Sequence, residues 1–175
     1  MFVASEPRSD GVCALESTMQ IDLSDDPDLM ALYAYWNSER GSRMMPRRAD
    51  INPRKIPSLL PNVLLVEIHA TLRFCFRLAG TNICSRWGQD LTGKWLDELD
   101  YDGERANVLE QYATVARTGE PRLDVREFVN ASGRYLHYRR LLLPLSEDGH
   151  TPNMLLGAQK AIGIDGYQVA VPRWA

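Results

Sequence analysis

The fold is decided by the stretch Val63-Leu64-Leu65-Val66-Glu67-Ile68-His69-Ala70-Thr71-Leu72-Arg73-Phe74-Cys75-Phe76-Arg77-Leu78. Branched side chains dominate Val63–Ile68, which is typical of a β-strand. In Leu72–Leu78 apolar side chains alternate with polar or small ones, so a second strand follows a turn at Thr71. The two segments predict an antiparallel hairpin whose arginines face water. The apolar side chains that we expect to face the core are Leu72, Phe74, Phe76 and Leu78.

The rest of the chain continues in the order helices, then strands. A long helix is expected to end where Gly119 supplies a stop, since Pro121 blocks its continuation. Antiparallel hairpins with helices packed on one face define the α+β class, here with a five-stranded antiparallel sheet. The expected elements after the hairpin are a short helix in Gly80–Gly88, a long helix Tyr101–Thr118 and strands Arg122–Asn130, Arg134–Leu145 and Met154–Ile164.

An amphipathic helix is expected before the sheet, over Pro27–Arg40. Acidic residues precede it, where the helix dipole favours them, and Gly41 supplies its stop. Its apolar positions recur at three- and four-residue spacing and carry more aromatic side chains than one stripe needs. These are Leu29, Leu32, Tyr33 and Trp36. The helix either packs on the outer sheet face of its own subunit or contacts a second copy, and because aromatics are enriched at interface cores we expect a homodimer.

The 175 residues suit one domain with one set of core elements. We expect a flexible N-terminal arm at 1–24, a helix with a proline-rich connector at 25–60, the sheet domain at 61–165 and a C-terminal tail at 166–175.

Composition limits the partners. The net charge is −3, and basic residues are mixed with acidic ones, so nucleic acid is not an expected partner. The connector holds one basic cluster, which is either a solvated surface strip or a site for an anion or partner. Its members are Arg40, Arg43, Arg47, Arg48, Arg54 and Lys55.

Three features favour a cytoplasmic location. There is no apolar run of about 18 residues that could span a membrane. Residues 1–16 lack the basic start and apolar run of a secretory signal. The three cysteines, Cys13, Cys75 and Cys84, are widely spaced and odd in number, which argues against a disulfide framework and a structural zinc site.

Several segments resemble PAS domains. The run Phe76–Lys94 is similar to the PAS stretch in which a second strand leads into a short helix and a glycine-containing loop. Gly133–Leu145 and Met154–Gly163 resemble the final two PAS strands. Three shorter sets resemble a bacterial family of small, single-domain PAS proteins, and the likeness spans Leu29 to Ile164. These sets are Trp36 with Pro46–Ile51, Ile56-Pro57 with Leu60-Pro61, and Arg77–Thr81 with Asp90–Gly93.

The resemblance implies a role in sensing or signalling. PAS domains sense small ligands, bind cofactors, or mediate dimers and docking, and the fold alone does not choose among these. We expect a non-catalytic sensory or signalling adaptor that binds a small ligand, a signalling protein partner, or both. The alternative is a small enzyme or carrier acting on a ligand in the same cavity.

The resemblance also implies where a ligand would bind, because PAS ligands lie between the inner sheet face and the middle helices. Trp87 could stack on a ring, and Arg139 or His137 could pair with an acidic ligand. The alternative is that Trp87 and Tyr112 fill the core while Arg139 faces water. The candidate residues are Cys84, Trp87, Tyr112, His137 and Arg139.

The identity of a cofactor is left open. A flavin photosensor needs a cysteine in an Asn-Cys-Arg context, whereas Asn82-Ile83-Cys84 has an extra residue and precedes the glycine loop. Haem-binding PAS sensors carry a histidine on the long helix, and Tyr101–Thr118 has none. No phosphate loop, zinc-binding helix or serine-nucleophile motif is present, so neither a metal ligand nor a catalytic residue is predicted.

Overall fold

The computed structural model of the protein describes residues 23, 25–101, 103–130 and 132–162. The predicted C-terminal tail and, apart from Leu23, the predicted arm lie outside these residues. The described helices and strands are α1 (Pro27–Arg40), β1 (Val63–His69), β2 (Arg73–Ala79), α2 (Thr81–Trp87), α3 (Arg105–Thr118), β3 (Arg122–Val129), β4 (Tyr135–Leu145) and β5 (Met154–Ala161).

The five strands form one antiparallel sheet in the order β2-β1-β5-β4-β3. The last strand therefore lies between the first hairpin and the hairpin of β3 and β4. Its residue Leu156 pairs with Leu65 on one side and Leu143 on the other. The predicted five-stranded α+β architecture is confirmed.

Helices α2 and α3 cover the face of the sheet that we call the inner face. Side chains at alternate positions of each strand reach it, as the two-residue period of a strand requires. The resulting core is built from aliphatic and aromatic side chains, each worth about 1.5–3 kcal/mol when fully buried. Its members include Leu64, Val66, Phe74, Phe76, Ile83, Val108, Tyr112, Leu136 and Leu142.

Helix α1 covers the opposite, outer face, and occupies the range predicted from the sequence. Leu29, Leu32 and Trp36 are buried in a second core against this face. The Trp36 Nε1 donates a hydrogen bond to the Pro144 carbonyl oxygen at 2.8 Å. The apolar stripe of α1 therefore packs on the sheet of its own subunit, which is one of the two arrangements expected from the sequence. The homodimer stays a prediction.

The predicted alternation along β2 is wrong at both ends. Phe74 and Phe76 face the inner core, but a β-bulge shifts the β1–β2 register between Leu65 and Val66, so that Leu78 pairs with Leu65. The extra residue turns Leu78 to the outer face, where 44% of it is exposed. Leu72 lies before the strand with a φ of +56° and is 36% exposed.

The long helix starts later than predicted. Gly103 has a φ of +86°, a left-handed conformation that cannot continue a helix, and α3 begins at Arg105. Tyr101 is instead part of the loop before the helix. Its ring is buried at a centroid distance of 5.3 Å from that of Trp87.

Candidate functional site

The structure separates the five candidate residues between the two sheet faces. Leu136, Tyr138 and Leu142 of β4 face the inner core, whereas Leu141, Leu143 and Leu145 face the outer core. By this alternation His137 and Arg139 are on the outer face. Trp87 and Tyr112 belong to the inner core. The two faces therefore do not bring the five residues together in one cavity.

Cys84 is half-buried on α2. Its Sγ lies 3.5 Å from the carbonyl oxygen of Ala79 and 3.6 Å from the Oδ1 of Asp90. These are the distances of weak thiol hydrogen bonds, which connect the middle of α2 to the end of β2 and to the loop that follows the helix.

A different arginine of β4 lies on the inner face. Arg140 is 1% exposed and binds Asp124 through two nitrogens, with Nη2–Oδ2 at 2.6 Å and Nε–Oδ1 at 3.2 Å. Asp124 also accepts from Arg126, whose Nη2 lies 3.2 Å from Oδ2. The Arg140 guanidinium carbon is 4.5 Å from the centroid of the Tyr112 ring. This fork geometry compensates a charge that would otherwise be costly to bury.

Tyrosine side chains surround this ion pair. Burial raises the pKa of the Tyr112 phenol, of the Tyr138 phenol and, strongly, of the Tyr101 phenol. All three phenols therefore stay neutral at physiological pH. Arg140, Asp124, Tyr112 and Tyr138 are buried between the sheet and α3, where the sequence resemblance implied that a ligand would bind.

A polar cleft of about 280 Å³ opens beside this core, at the end of α2. One wall is Trp87, which is 4% exposed and whose Nε1 has no hydrogen-bond partner. A buried unpaired N–H costs about 1–3 kcal/mol, which an acceptor reaching it would recover. We call this the Trp87 cleft. Its lining residues are Trp87, Gly88, Gln89, Asp100, Asn130 and Ser132.

Asn130 and Ser132, which also line the Trp87 cleft, are held in place by local hydrogen bonds. The Oδ1 of Asn130 accepts from the Ser132 hydroxyl at 2.7 Å and from the Arg134 N–H at 3.0 Å. Its Nδ2 makes no hydrogen bond to a described residue. The Arg134 side chain crosses Gly88, where a Cβ would collide with it, and donates to the Ser85 carbonyl oxygen at 3.1 Å. The turn is thereby fastened to the end of α2.

A second, larger cleft of about 400 Å³ lies on the outer face. It is bounded by the proline-rich connector, by β1 and the end of β2, and by the first residues of α2. We call it the connector cleft. Its lining is apolar except for Arg48 and Thr81, and comprises Arg48, Ile51, Pro53, Ile56, Pro57, Leu60, Pro61, Val63, Leu65, Leu78, Ala79, Gly80, Thr81 and Leu156.

Sequence reasoning identified Trp87 but missed its neighbours Asn130 and Asp100 and the whole connector cleft. The sequence signal for Asn130 was the turn sequence Asn130-Ala131-Ser132-Gly133, since asparagine and serine side chains in turns often bind their own backbone. The sequence signal for the connector cleft was the run of prolines between Pro46 and Pro61, which lies beside a basic cluster.

Two further findings concern the described part of the chain. No group of three or more His, Cys, Asp or Glu side chains within it could hold a metal ion. None of its helices is long and apolar enough to cross a membrane.

Comparison with known proteins gives the family. A scan against protein families matches residues 24–160 to the PAS domain. The chain belongs to the PAS domain family. The order of strands and helices in the described residues is that of a PAS domain, as the sequence resemblance implied, and the family is one of sensory and signalling domains that can bind ligands. A search of the curated proteins finds no match.

Solved structures of PAS and LOV proteins are similar to part of this chain. The LOV protein of Rhodobacter sphaeroides is 15% identical, covers 65% of this chain and 69% of its own, and has a TM-score of 0.48. The PAS domain of BvgS from Bordetella pertussis is 17% identical over 65% of this chain and 89% of its own, with a TM-score of 0.48. A light-oxygen-voltage domain studied with a flavin analogue is 13% identical, covers 63% of this chain and 83% of its own, and has a TM-score of 0.51. At 13% identity, the likeness to the third of these structures concerns the fold alone.

Proposed function

We propose that this PAS domain is a non-catalytic sensory adaptor that binds a small polar ligand in the Trp87 cleft and passes the signal to a protein partner. Two observations on Trp87 support the proposal: its side chain lines a polar cleft, and its Nε1 is a buried donor without an acceptor. A hydrogen-bond acceptor on the ligand would satisfy it.

The composition of the cleft defines the ligand class. The Asn130 amide adds a second donor group, while the Asp100 carboxylate disfavours an anion beside it. The volume of about 280 Å³ is just below the usual range for drug-sized ligands, about 300–1,000 Å³. We therefore expect a small neutral molecule with a carbonyl or amide oxygen.

The filled inner face favours this ligand class over a large planar cofactor. A flavin or haem under α3 would displace the Arg140–Asp124 pair and the rings of Tyr112 and Tyr138, which are buried against one another. Removing either partner of such an ion pair is strongly destabilising.

A homodimer through α1 is part of this proposal. The buried side of the helix is engaged on its own sheet, so a second copy would contact the outward side. That side presents Met30, Ala31 and Ala34, which are exposed and uncharged. Small and apolar residues at three- and four-residue spacing would allow two helices to approach closely. A cytoplasmic location also stays a prediction.

The test uses the indole N–H itself. Protein labelled with ¹⁵N-tryptophan carries four tryptophans, and Trp87→Phe assigns the Trp87 signal in a ¹⁵N–¹H spectrum. We then add a panel of small amides, ketones and carboxylates to the full chain. We expect at least one neutral member to shift the Trp87 signal downfield while the Trp95 signal stays unchanged.

The matched control is Trp95→Phe, because Trp95 stacks on Arg73 at 4.1 Å outside the cleft. Binding should survive Trp95→Phe and be weakened by Trp87→Phe, which keeps the aromatic volume but removes the donor. A panel that leaves the Trp87 signal unmoved, or a ligand that binds Trp87→Phe unchanged, contradicts the proposal.

A further inference from the structure

We propose that the connector cleft is a second binding site, which takes a small amphipathic carboxylate, with its apolar chain in the cleft and its carboxylate at Arg48. This inference is independent of the Trp87 cleft, since the two clefts lie on opposite faces of the sheet.

The cleft is apolar and preformed. Three prolines of the connector line it, Pro53, Pro57 and Pro61, and each has a fixed φ that limits local collapse. The connector is further held by short helical turns at Arg48–Asp50, Pro53–Lys55 and Leu60–Asn62. A volume of about 400 Å³ is within the usual range for small-molecule sites, about 300–1,000 Å³.

The bulge in β2 directs an apolar side chain into this cleft. Leu78 lies opposite Leu65 on the outer face and is 44% exposed, although its neighbours Phe76 and Gly80 are buried. Covering exposed apolar surface contributes about 25 cal/mol per Å². An alkyl chain lying along Leu78, Leu65 and Ile56 would gain this free energy of apolar burial without a rearrangement of the backbone.

The charges around the cleft favour an anion. Two members of the basic cluster are neutralised: Arg43 binds Asp50 at 2.8 Å and Lys55 binds Glu39 at 2.7 Å. Arg48, which lines the cleft, donates only to the Ile51 carbonyl oxygen, at 3.3 Å, and forms no ion pair with any described residue. Its planar guanidinium can still bind a carboxylate through two nitrogens.

The prolines also favour a small molecule over a peptide. A peptide bound in extended form gains its affinity from main-chain hydrogen bonds. Proline has no N–H to give, and three of the lining residues are prolines. An alkyl or aryl carboxylate needs no such pairing and matches the single guanidinium in an otherwise apolar wall.

The test is calorimetric titration of the full chain with decanoate, below its micellar concentration, beside decanol and decyltrimethylammonium. We expect decanoate to bind more tightly than decanol, and the cation not to bind. Leu78→Glu should weaken decanoate binding about tenfold or more, which corresponds to about 1.4 kcal/mol. The matched control is Val125→Glu, an apolar residue 52% exposed on the opposite edge strand, which should leave binding unchanged.

Arg48→Gln separates the charge from the apolar contact. It should weaken decanoate binding about fivefold or more through loss of the charge-assisted hydrogen bonds, and leave decanol binding unchanged. The proposal is overturned if decanoate does not bind the wild type, if Leu78→Glu and Val125→Glu bind it alike, or if an acidic amphipathic peptide binds the cleft where decanoate does not. Trp87→Phe should retain decanoate binding, so failure here leaves the Trp87 proposal standing.

Discussion

Arg140 and Asp124 form a two-point ion pair on adjacent strands, inside the core of the PAS sheet. The two residues lie directly opposite each other in the β3–β4 register, and both side chains are more than nine-tenths buried. The Tyr112 ring covers the guanidinium from α3. The pair thus fixes the position of α3 over the sheet as well as the pairing of the two strands.

Breaking this pair on one side should be costly. Asp124→Asn leaves the Arg140 charge buried without its counter-ion, and we expect a loss of about 3–5 kcal/mol in the free energy of unfolding, measured by urea titration. The double variant Asp124→Leu with Arg140→Met should lose less than the sum of its single changes. The control is Glu110→Gln, which breaks an exposed pair with Arg117 and should change stability little. Equal losses in Asp124→Asn and Glu110→Gln would refute the argument.

Acid should weaken the turn between β4 and β5 through Asp148. Its Oδ1 accepts from the Ser146 hydroxyl at 2.6 Å and from the backbone N–H groups of His150 and Thr151 at 2.8 and 2.7 Å. These bonds hold the pKa of Asp148 well below its ordinary value of 3.8. A carboxyl whose pKa is depressed on folding stabilises the folded state above its unfolded pKa, and this contribution is lost as the pH falls toward the folded pKa.

The measurement is the melting temperature between about pH 5 and about pH 2.5, the window in which this carboxyl differs between folded and unfolded chains. We expect Asp148→Asn, which keeps an acceptor oxygen but cannot titrate, to lose less stability over this range than the wild type. Glu147→Gln removes the exposed neighbouring acid and serves as the control. Parallel curves for Asp148→Asn and the wild type would show that the turn does not depend on the ionised carboxyl.

The outward side of α1 should decide the oligomeric state. Ala34→Arg places a long charged side chain on that side, and light scattering after size-exclusion chromatography should show the dimer converted to a monomer. Trp36→Phe acts on the inward side instead. It leaves the Pro144 carbonyl oxygen without its donor and should cost about 1–3 kcal/mol of stability with no change in mass. A wild-type protein of monomer mass, or a dimer untouched by Ala34→Arg, would remove the dimer.

Side-chain periodicity predicted most of the fold. The spacing of Leu29, Leu32 and Trp36 identified the buried side of α1, and the alternation of Phe74 with Phe76 identified the inner side of β2. Periodicity failed at Leu78 because one extra residue in the strand reverses the sense of alternation. Nothing in the residue types around Arg77 indicates where such a bulge is placed.

The candidate site was harder to predict, since it depends on which face of β4 is buried. Arg139 and Arg140 are adjacent, and only the Asp124 partner on the next strand makes it favourable to bury Arg140. That pairing depends on the β3–β4 register, which local sequence does not determine. The Trp87 cleft likewise combines the end of α2 with a turn more than forty residues later, so the contact between them is a property of the fold.

The two clefts take wall residues from opposite ends of α2. Gly80 and Thr81 at its start line the connector cleft, and Trp87 and Gly88 at its end line the Trp87 cleft. The helix has seven residues, a length of about 10 Å at 1.5 Å per residue. If a molecule bound at one end shifted the helix, the cleft wall at the other end would move with it, and thermodynamic linkage would make the influence equal in both directions. Helix α2 would then couple the binding of an amphipathic carboxylate in the connector cleft to the binding of a polar amide in the Trp87 cleft.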